Sequence, residues 1–148
     1  MVKVWETATG KEIYSWDIDG AAPLEAAGLL AWHPGSNRLA GGTRSVHVWD
    51  TKDGQEVLEL PGHTMPITRL EWSPDGQRII SLASKKEKDK LLAQELMVWD
   101  ADTGNQILTL HGPDAGFQLS PNKEWLASSP SEDGLINLQR IATRKGRN

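Results

Sequence analysis

The sequence predicts an all-β protein built from a repeated unit of four short antiparallel strands, and three observations carry that prediction. One turn motif occurs three times, as Val4-Trp5-Glu6-Thr7-Ala8-Thr9-Gly10-Lys11-Glu12-Ile13, Val48-Trp49-Asp50-Thr51-Lys52-Asp53-Gly54-Gln55-Glu56-Val57 and Val98-Trp99-Asp100-Ala101-Asp102-Thr103-Gly104-Asn105-Gln106-Ile107. Each copy has a Trp, then an acid, then a Gly five residues after the Trp, and the copies start 44 and 50 residues apart. A second motif is interleaved with the first: Trp32-His33-Pro34-Gly35, Trp72-Ser73-Pro74-Asp75-Gly76 and Leu119-Ser120-Pro121-Asn122, with an Arg or Trp four residues after each Pro. Self-similarity at this period marks a repeat architecture. No stretch of helical period is long enough to cross over a parallel sheet.

Both motifs have the chemistry of hairpin turns, because Pro pre-sets φ at the first corner and Gly or Asn accepts the positive φ that closes it. Their flanks, such as Val46-His47-Val48-Trp49 and Glu56-Val57-Leu58-Glu59-Leu60, alternate or run apolar with β-branched residues, which predicts strands of about four to six residues. In chain order, strands from Val2 to Trp5 and from Glu12 to Trp16 come first. Four strands follow through about Leu60, four more through about Leu110, and three that end near Gln139. The tail from Arg140 offers at most a fourteenth strand. The chain thus divides into a half-unit (1–16), two full units (17–60 and 61–110) and a last unit (111–148). Strands apolar on both faces suit small sheets covered on each side by a neighbour, with a large flat Trp filling the space between. Each unit needs its neighbours to bury it.

Composition narrows the function classes. The chain has 148 residues with 16 basic and 20 acidic side chains, a net charge of −4, so no polyanion-binding signature is present and no nucleic-acid partner is expected. It has no cysteine, which removes disulfides, thiolate metal sites and cysteine nucleophiles and suits a reducing cytoplasm. The longest apolar run, Ala26 to Trp32, is far short of the roughly 20 residues a membrane helix needs, and no charged-then-apolar leader opens the chain. No membrane partner is expected. The histidines at 33, 47, 63 and 111 lack the close spacing that brings two imidazoles to one metal. Asp100-Ala101-Asp102-Thr103-Gly104 looks like the start of a calcium loop, but the twelfth position from Asp100 holds His111 and sister units fill the same slots with turn residues, so it reads as a hairpin. No nucleophile elbow or phosphate-cradling glycine loop is present, so no catalytic residue, cofactor or metal is expected.

At this point the residues resemble a known family. Trp-Asp closing a strand (Trp49-Asp50, Trp99-Asp100), Gly62-His63 ahead of another and Ser73-Pro74-Asp75-Gly76 between strands are similar to WD-repeat β-propellers. The unit from 61 to 110 carries all three in order. The outer units depart from the pattern, with His33-Pro34-Gly35, the inverted His111-Gly112 and Leu138-Gln139, while Asp133-Gly134 keeps the family's turn. The resemblance implies a side-chain network of His, Ser or Thr, Asp and Trp within a blade. His63 and Trp99 match it, Ser81 or Ser84 fits the hydroxyl, and an insertion displaces the Asp. It also implies structural roles for Trp5, Trp49, Asp75, Asp100 and Asp133, and makes 1–16 an outer half-blade and 111–148 an eroded blade.

About three and a half blades make an incomplete ring, since closed propellers have roughly four to eight. The opening pair of outer strands leaves an unpaired edge and one uncovered Trp face. The chain therefore reads as the C-terminal part of a larger propeller, or one that completes itself by self-association or by binding missing blades. Two long connections interrupt the pattern: Asp17 to Glu25, and the charged run Ser84-Lys85-Lys86-Glu87-Lys88-Asp89-Lys90-Leu91-Leu92-Ala93-Gln94, read as a loop insertion. The resemblance places such connections on one face, the face that usually carries partners. Asp17, Asp19, Met65, Lys85, Lys86, Lys88 and Lys90 are the candidate partner-binding residues. The expected function is a non-enzymatic cytoplasmic scaffold that binds a protein partner. The alternative is a regulatory or sensor region of a larger enzyme such as a protein kinase. A propeller hydrolase or lyase would need acid–base residues on the inner strands, where Arg69 and Glu71 stand almost alone.

Overall fold

The computed structural model describes residues 1–18, 29–88, 90–112, 116–122, 124–129 and 137–141, and its thirteen strands form four antiparallel sheets. β1 (Val2–Trp5) pairs with β2 (Glu12–Trp16). The next sheet runs β3 (Leu29–Trp32), β4 (Arg38–Gly42), β5 (Val46–Asp50) and β6 (Glu56–Leu60). The third runs β7 (Ile67–Trp72), β8 (Arg78–Glu87), β9 (Lys90–Asp100) and β10 (Gln106–Gly112). The fourth is β11 (Gly116–Leu119), β12 (Trp125–Ser129) and β13 (Asn137–Arg140). Within each sheet, strands consecutive in sequence are neighbours, as short turns require. A fourteenth strand in the tail and the turn at Asp133 fall outside the described residues.

The first motif closes three equivalent turns. Gly10, Gly54 and Gly104 take φ of +71°, +75° and +73°, and each N–H donates to the carbonyl of the acid four residues before it, Glu6, Asp50 or Asp100. Only glycine reaches this left-handed region without steric cost. In the second motif a short polar side chain caps the turn. The Ser73 hydroxyl lies 2.6 Å from Asp75 Oδ1 and accepts from the Arg78 N–H, while Asp75 accepts from the Gln77 N–H. Ser120 and Asn122 repeat the arrangement before Trp125.

Alternation of side chains along each strand gives every central sheet two apolar faces. Val46, Val48 and Leu60 meet Ile67, Leu70, Trp72, Ile79, Met97 and Trp99 between the second and third sheets. The opposite face of the third sheet, with Ile80, Leu96 and Val98, packs on Leu119, Leu126 and Ile141. Val2, Leu39 and Trp49 join the first and second sheets, where Trp16 stacks on Trp49 with ring centroids 5.0 Å apart. Each such large apolar side chain contributes about 1.5–3 kcal/mol on full burial. Polar ties reinforce the seams: Tyr14 donates to the Lys52 carbonyl, Trp16 Nε1 to that of Gly54, and Trp72 Nε1 to that of Ala31.

Two expectations need correction. Strands of four to six residues hold for most of the chain, but β8, β9 and β10 have 10, 11 and 7 residues. The charged run from Ser84 is not a loop insertion; its described residues continue the β8–β9 ladder through Lys86↔Leu91 and Glu87↔Lys90, past a register shift between Lys85 and Lys86. Apart from Leu92 at the register shift, the described strand residues there gain cross-strand partners, so they extend a hairpin rather than form a separate loop.

Candidate functional site

One end of the molecule gathers the turns between second and third strands and the connections that leave the fourth strands. Register places them together. The Ile67 N–H donates to the Thr43 carbonyl, joining the β4–β5 turn to the start of β7, and the Ser84 N–H donates to the Pro66 carbonyl, joining the β6–β7 connection to the β8–β9 hairpin. His111 stands opposite Glu95, and Val2 opposite Trp16, so the ends of β10 and β2 lie at the same end of their sheets.

A buried chain of hydrogen bonds underlies this surface. Trp99 Nε1 donates to Ser81 Oγ at 2.9 Å, and Ser81 Oγ lies 2.7 Å from His63 Nε2. An ionised Glu95 can only accept, so the neutral His63 ring takes the Ser81 proton at Nε2 and carries its own proton on Nδ1. That nitrogen faces Glu95 Oε2 at 3.2 Å. Glu95 also accepts from the Thr64 N–H at 2.9 Å and from the Thr64 hydroxyl. The hydroxyl of this network is Ser81; Ser84 instead donates to Thr68 Oγ1.

Glu95 is the residue that sequence reasoning missed. The acid thought displaced by the insertion is supplied from within β9, where the ladder sets Glu95 opposite Ala83, one pair before Ser84↔Gln94. A two-residue strand period could have pointed to it, since Glu95, Met97 and Trp99 share a face. Burial pulls the His63 pKa below its ordinary value, and Glu95 only partly offsets this. Burial by itself would raise the Glu95 carboxyl, but the Thr64 hydroxyl and N–H and then His63 stabilise the anion enough to hold it below the ordinary value.

Ser81, His63 and Glu95 stand in the order of nucleophile, base and orienting acid. The geometry serves structure instead: Ser81 is 0% exposed with one lone pair taken by Trp99, and the cavities beside β11 and β12 are lined by other residues. Arg69 and Glu71, the charged pair of the inner strands, bind each other at 2.5 Å. Asp100 is likewise engaged. The Thr103 N–H, more than any other contact, holds its carboxyl below the usual range, and Arg78 pairs with it at 2.7 Å.

The remaining predicted residues fall into separate places. Lys85, Lys86 and Lys88 are exposed near the hairpin tip, Lys88 at φ +54°, with Lys90 paired in register to Glu87. Met65 is half-buried in the β6–β7 connection, and Asp17 is exposed just beyond β2. Asp19 and Asp133 lie outside the described residues. Trp49 and Trp99 are buried at 2% exposure each, whereas Trp5 is 52% exposed.

Comparison with known proteins agrees with the sheet architecture. The family described as "WD domain, G-beta repeat" matches residues 54–86. The chain is 35% identical over 94 residues to transcription initiation factor TFIID subunit 5 of Caenorhabditis elegans, covering 57% of this chain and 13% of that protein. It is 38% identical over 58 residues to the human U5 small nuclear ribonucleoprotein 40 kDa protein, covering 38% and 16%. Over 92 residues it is 32% identical to the small ribosomal subunit protein RACK1 of Caenorhabditis elegans, covering 61% and 26%. The chain thus spans about a quarter or less of these relatives' lengths. Among solved structures, the β-propeller domain of Cps50 (Swd1) from Myceliophteria thermophila superposes with a TM-score of 0.56 at 22% identity, covering 80% of this chain and 35% of that one.

Proposed function

This chain is an incomplete β-propeller of WD repeats, and from that premise we propose that it works as a non-enzymatic scaffold that binds protein partners through the end carrying its long hairpin. The single observation behind the reading is mechanical. Sheets packed on one another through three apolar cores form a frame from which the β4–β5 turn, the β6–β7 connection and the β8–β9 hairpin emerge side by side, and a rigid frame with protruding connections is the arrangement by which binding residues are presented. The names of several relatives, which include subunits of a transcription initiation factor and a ribonucleoprotein, support a role in assemblies.

Cross-linking in cells, followed by mass spectrometry, tests this. Cross-links to partner proteins are expected at the turn 43–45, the connection 61–66 and the hairpin 84–90. Partner cross-links concentrated at the opposite turns, around residues 51–54 and 101–104, or none at all, would overturn the reading.

A further inference from the structure

The tip of the β8–β9 hairpin outruns its sheet. β7 stops pairing opposite Ala83 and β10 stops opposite Gln94, whereas β8 and β9 remain paired through Glu87↔Lys90. Beyond the pair Ser84↔Gln94, no described strand flanks this arm. Its base is held firmly, because Glu95, the first carboxylate below it, clamps Thr64 and His63, and the Ser84 N–H is tied to Pro66.

The arm's chemistry is unlike that of the rest of the chain. Four of the 16 basic residues, Lys85, Lys86, Lys88 and Lys90, fall within six positions of a chain whose net charge is −4. The described lysines 85, 86 and 88 are exposed. Across the ladder, Lys86 pairs with Leu91, and half-buried Leu91 and Leu92 belong to none of the three cores. A positive strand thus lies beside an apolar one on an element that adds nothing to the interior.

We infer that this arm docks an extended acidic segment of a partner protein in which carboxylates alternate with apolar side chains. The inference rests on the scaffold reading and names the partner's chemistry. An extended segment sends alternate side chains to opposite sides, and the ladder puts Lys85 on one face and Lys86 with Leu91 on the other, so its carboxylates meet Lys85 on the first face while its apolar residues cover Leu91 and the aliphatic stem of Lys86 on the second. Strand addition to an unflanked edge is a recurrent way to bind such a segment, and lysines here speed encounter with an acidic partner. A nucleic acid fits less well, because no aromatic side chain stands on residues 84–94 for a base to stack on.

Fluorescence anisotropy with the full chain and a labelled peptide alternating Glu and Val is the test. Saturable binding is expected, weakened about tenfold by Lys85→Glu with Lys86→Glu and reduced again by Leu91→Ser, all variants keeping the parent melting curve. Equal binding by the charge-reversed chain, equal binding of a Glu–Ser peptide, or tighter binding of a single-stranded oligonucleotide would overturn the inference. Cellular cross-linking of the charge-reversed chain separates this failure from that of the scaffold reading. If partner cross-links persist at 43–45 and 61–66 and the peptide does not bind, only the arm's role falls. If the unaltered chain yields no partner cross-links, the scaffold reading falls.

Discussion

Glu95 shows how one side chain can serve two elements. It accepts hydrogen bonds from the β6–β7 connection while sitting in β9, so removing it leaves the Thr64 N–H and the His63 Nδ1–H without their acceptor. Glu95→Ala is expected to cost about 1–3 kcal/mol, the penalty for buried donors left unmade. In a chain of this size that lowers Tm by about 2–4 °C for each kcal/mol. Glu95→Gln retains an acceptor oxygen and should lose less. Thermal melts of the two variants check the ordering. The same network sets the pH response. The unfolded chain binds a proton at His63 near 6.5, but burial keeps the folded residue neutral below that pH. Stability is therefore full above about 6.5 and falls as pH drops beneath it. A second loss begins as pH falls through about 4.5, because folded Glu95 holds its charge below the value at which the unfolded carboxyl is protonated. Urea titrations across this range check the signs, and Glu95→Gln should remove the lower step.

At the scale of elements, equivalent turns separate backbone cost from packing cost. Gly10 and Gly54 have nearly the same positive φ, but a Cβ on Gly10 meets nothing within 4 Å, whereas one on Gly54 lies 2.5 Å from the Tyr14 ring. Gly10→Ala is expected to cost about 1 kcal/mol, the backbone penalty alone, and Gly54→Ala clearly more because Tyr14 must move and release the Lys52 carbonyl. Chemical denaturation of the pair measures the difference. The elements also show what could be read in advance. β1 and β2 lie where the recurrent turn puts them, because Gly, Pro and Asx residues act through local φ, ψ and side-chain-to-backbone hydrogen bonds. The long β8–β9 ladder was not legible, because Lys85 to Lys90 is polar on both faces and has no hydrophobic alternation to mark its register.

Considering the whole molecule, the three inter-sheet cores differ in depth. The two-stranded first sheet contributes Val2 as its fully buried member, with Val4, Trp16 and Ile18 partly buried against Leu39 and Trp49, and an isolated two-stranded hairpin is marginal in water. Local opening should therefore begin there. Amide hydrogen exchange is expected to be fast across Val2–Trp16 and slow in the central strands β8 and β9, with Trp16→Ala accelerating the first sheet and leaving Ile79–Leu82 protected. Uniform protection across all four sheets would contradict this picture of the first seam as the weakest.

Hairpin turns, an all-β repeat and the expectation of stacked sheets follow from the sequence alone, because each rests on short-range rules that a residue obeys wherever its chain folds. Which chemically equivalent residues become equivalent in fact was decided by tertiary structure. Trp5, Trp49 and Trp99 occupy one motif position, yet a neighbouring sheet covers the second and third and leaves the first 52% exposed. Ser81 was chosen over Ser84, and a strand glutamate over a turn aspartate, by the same cause: a buried donor must find an acceptor in space, and distance along the chain does not specify where that acceptor will be.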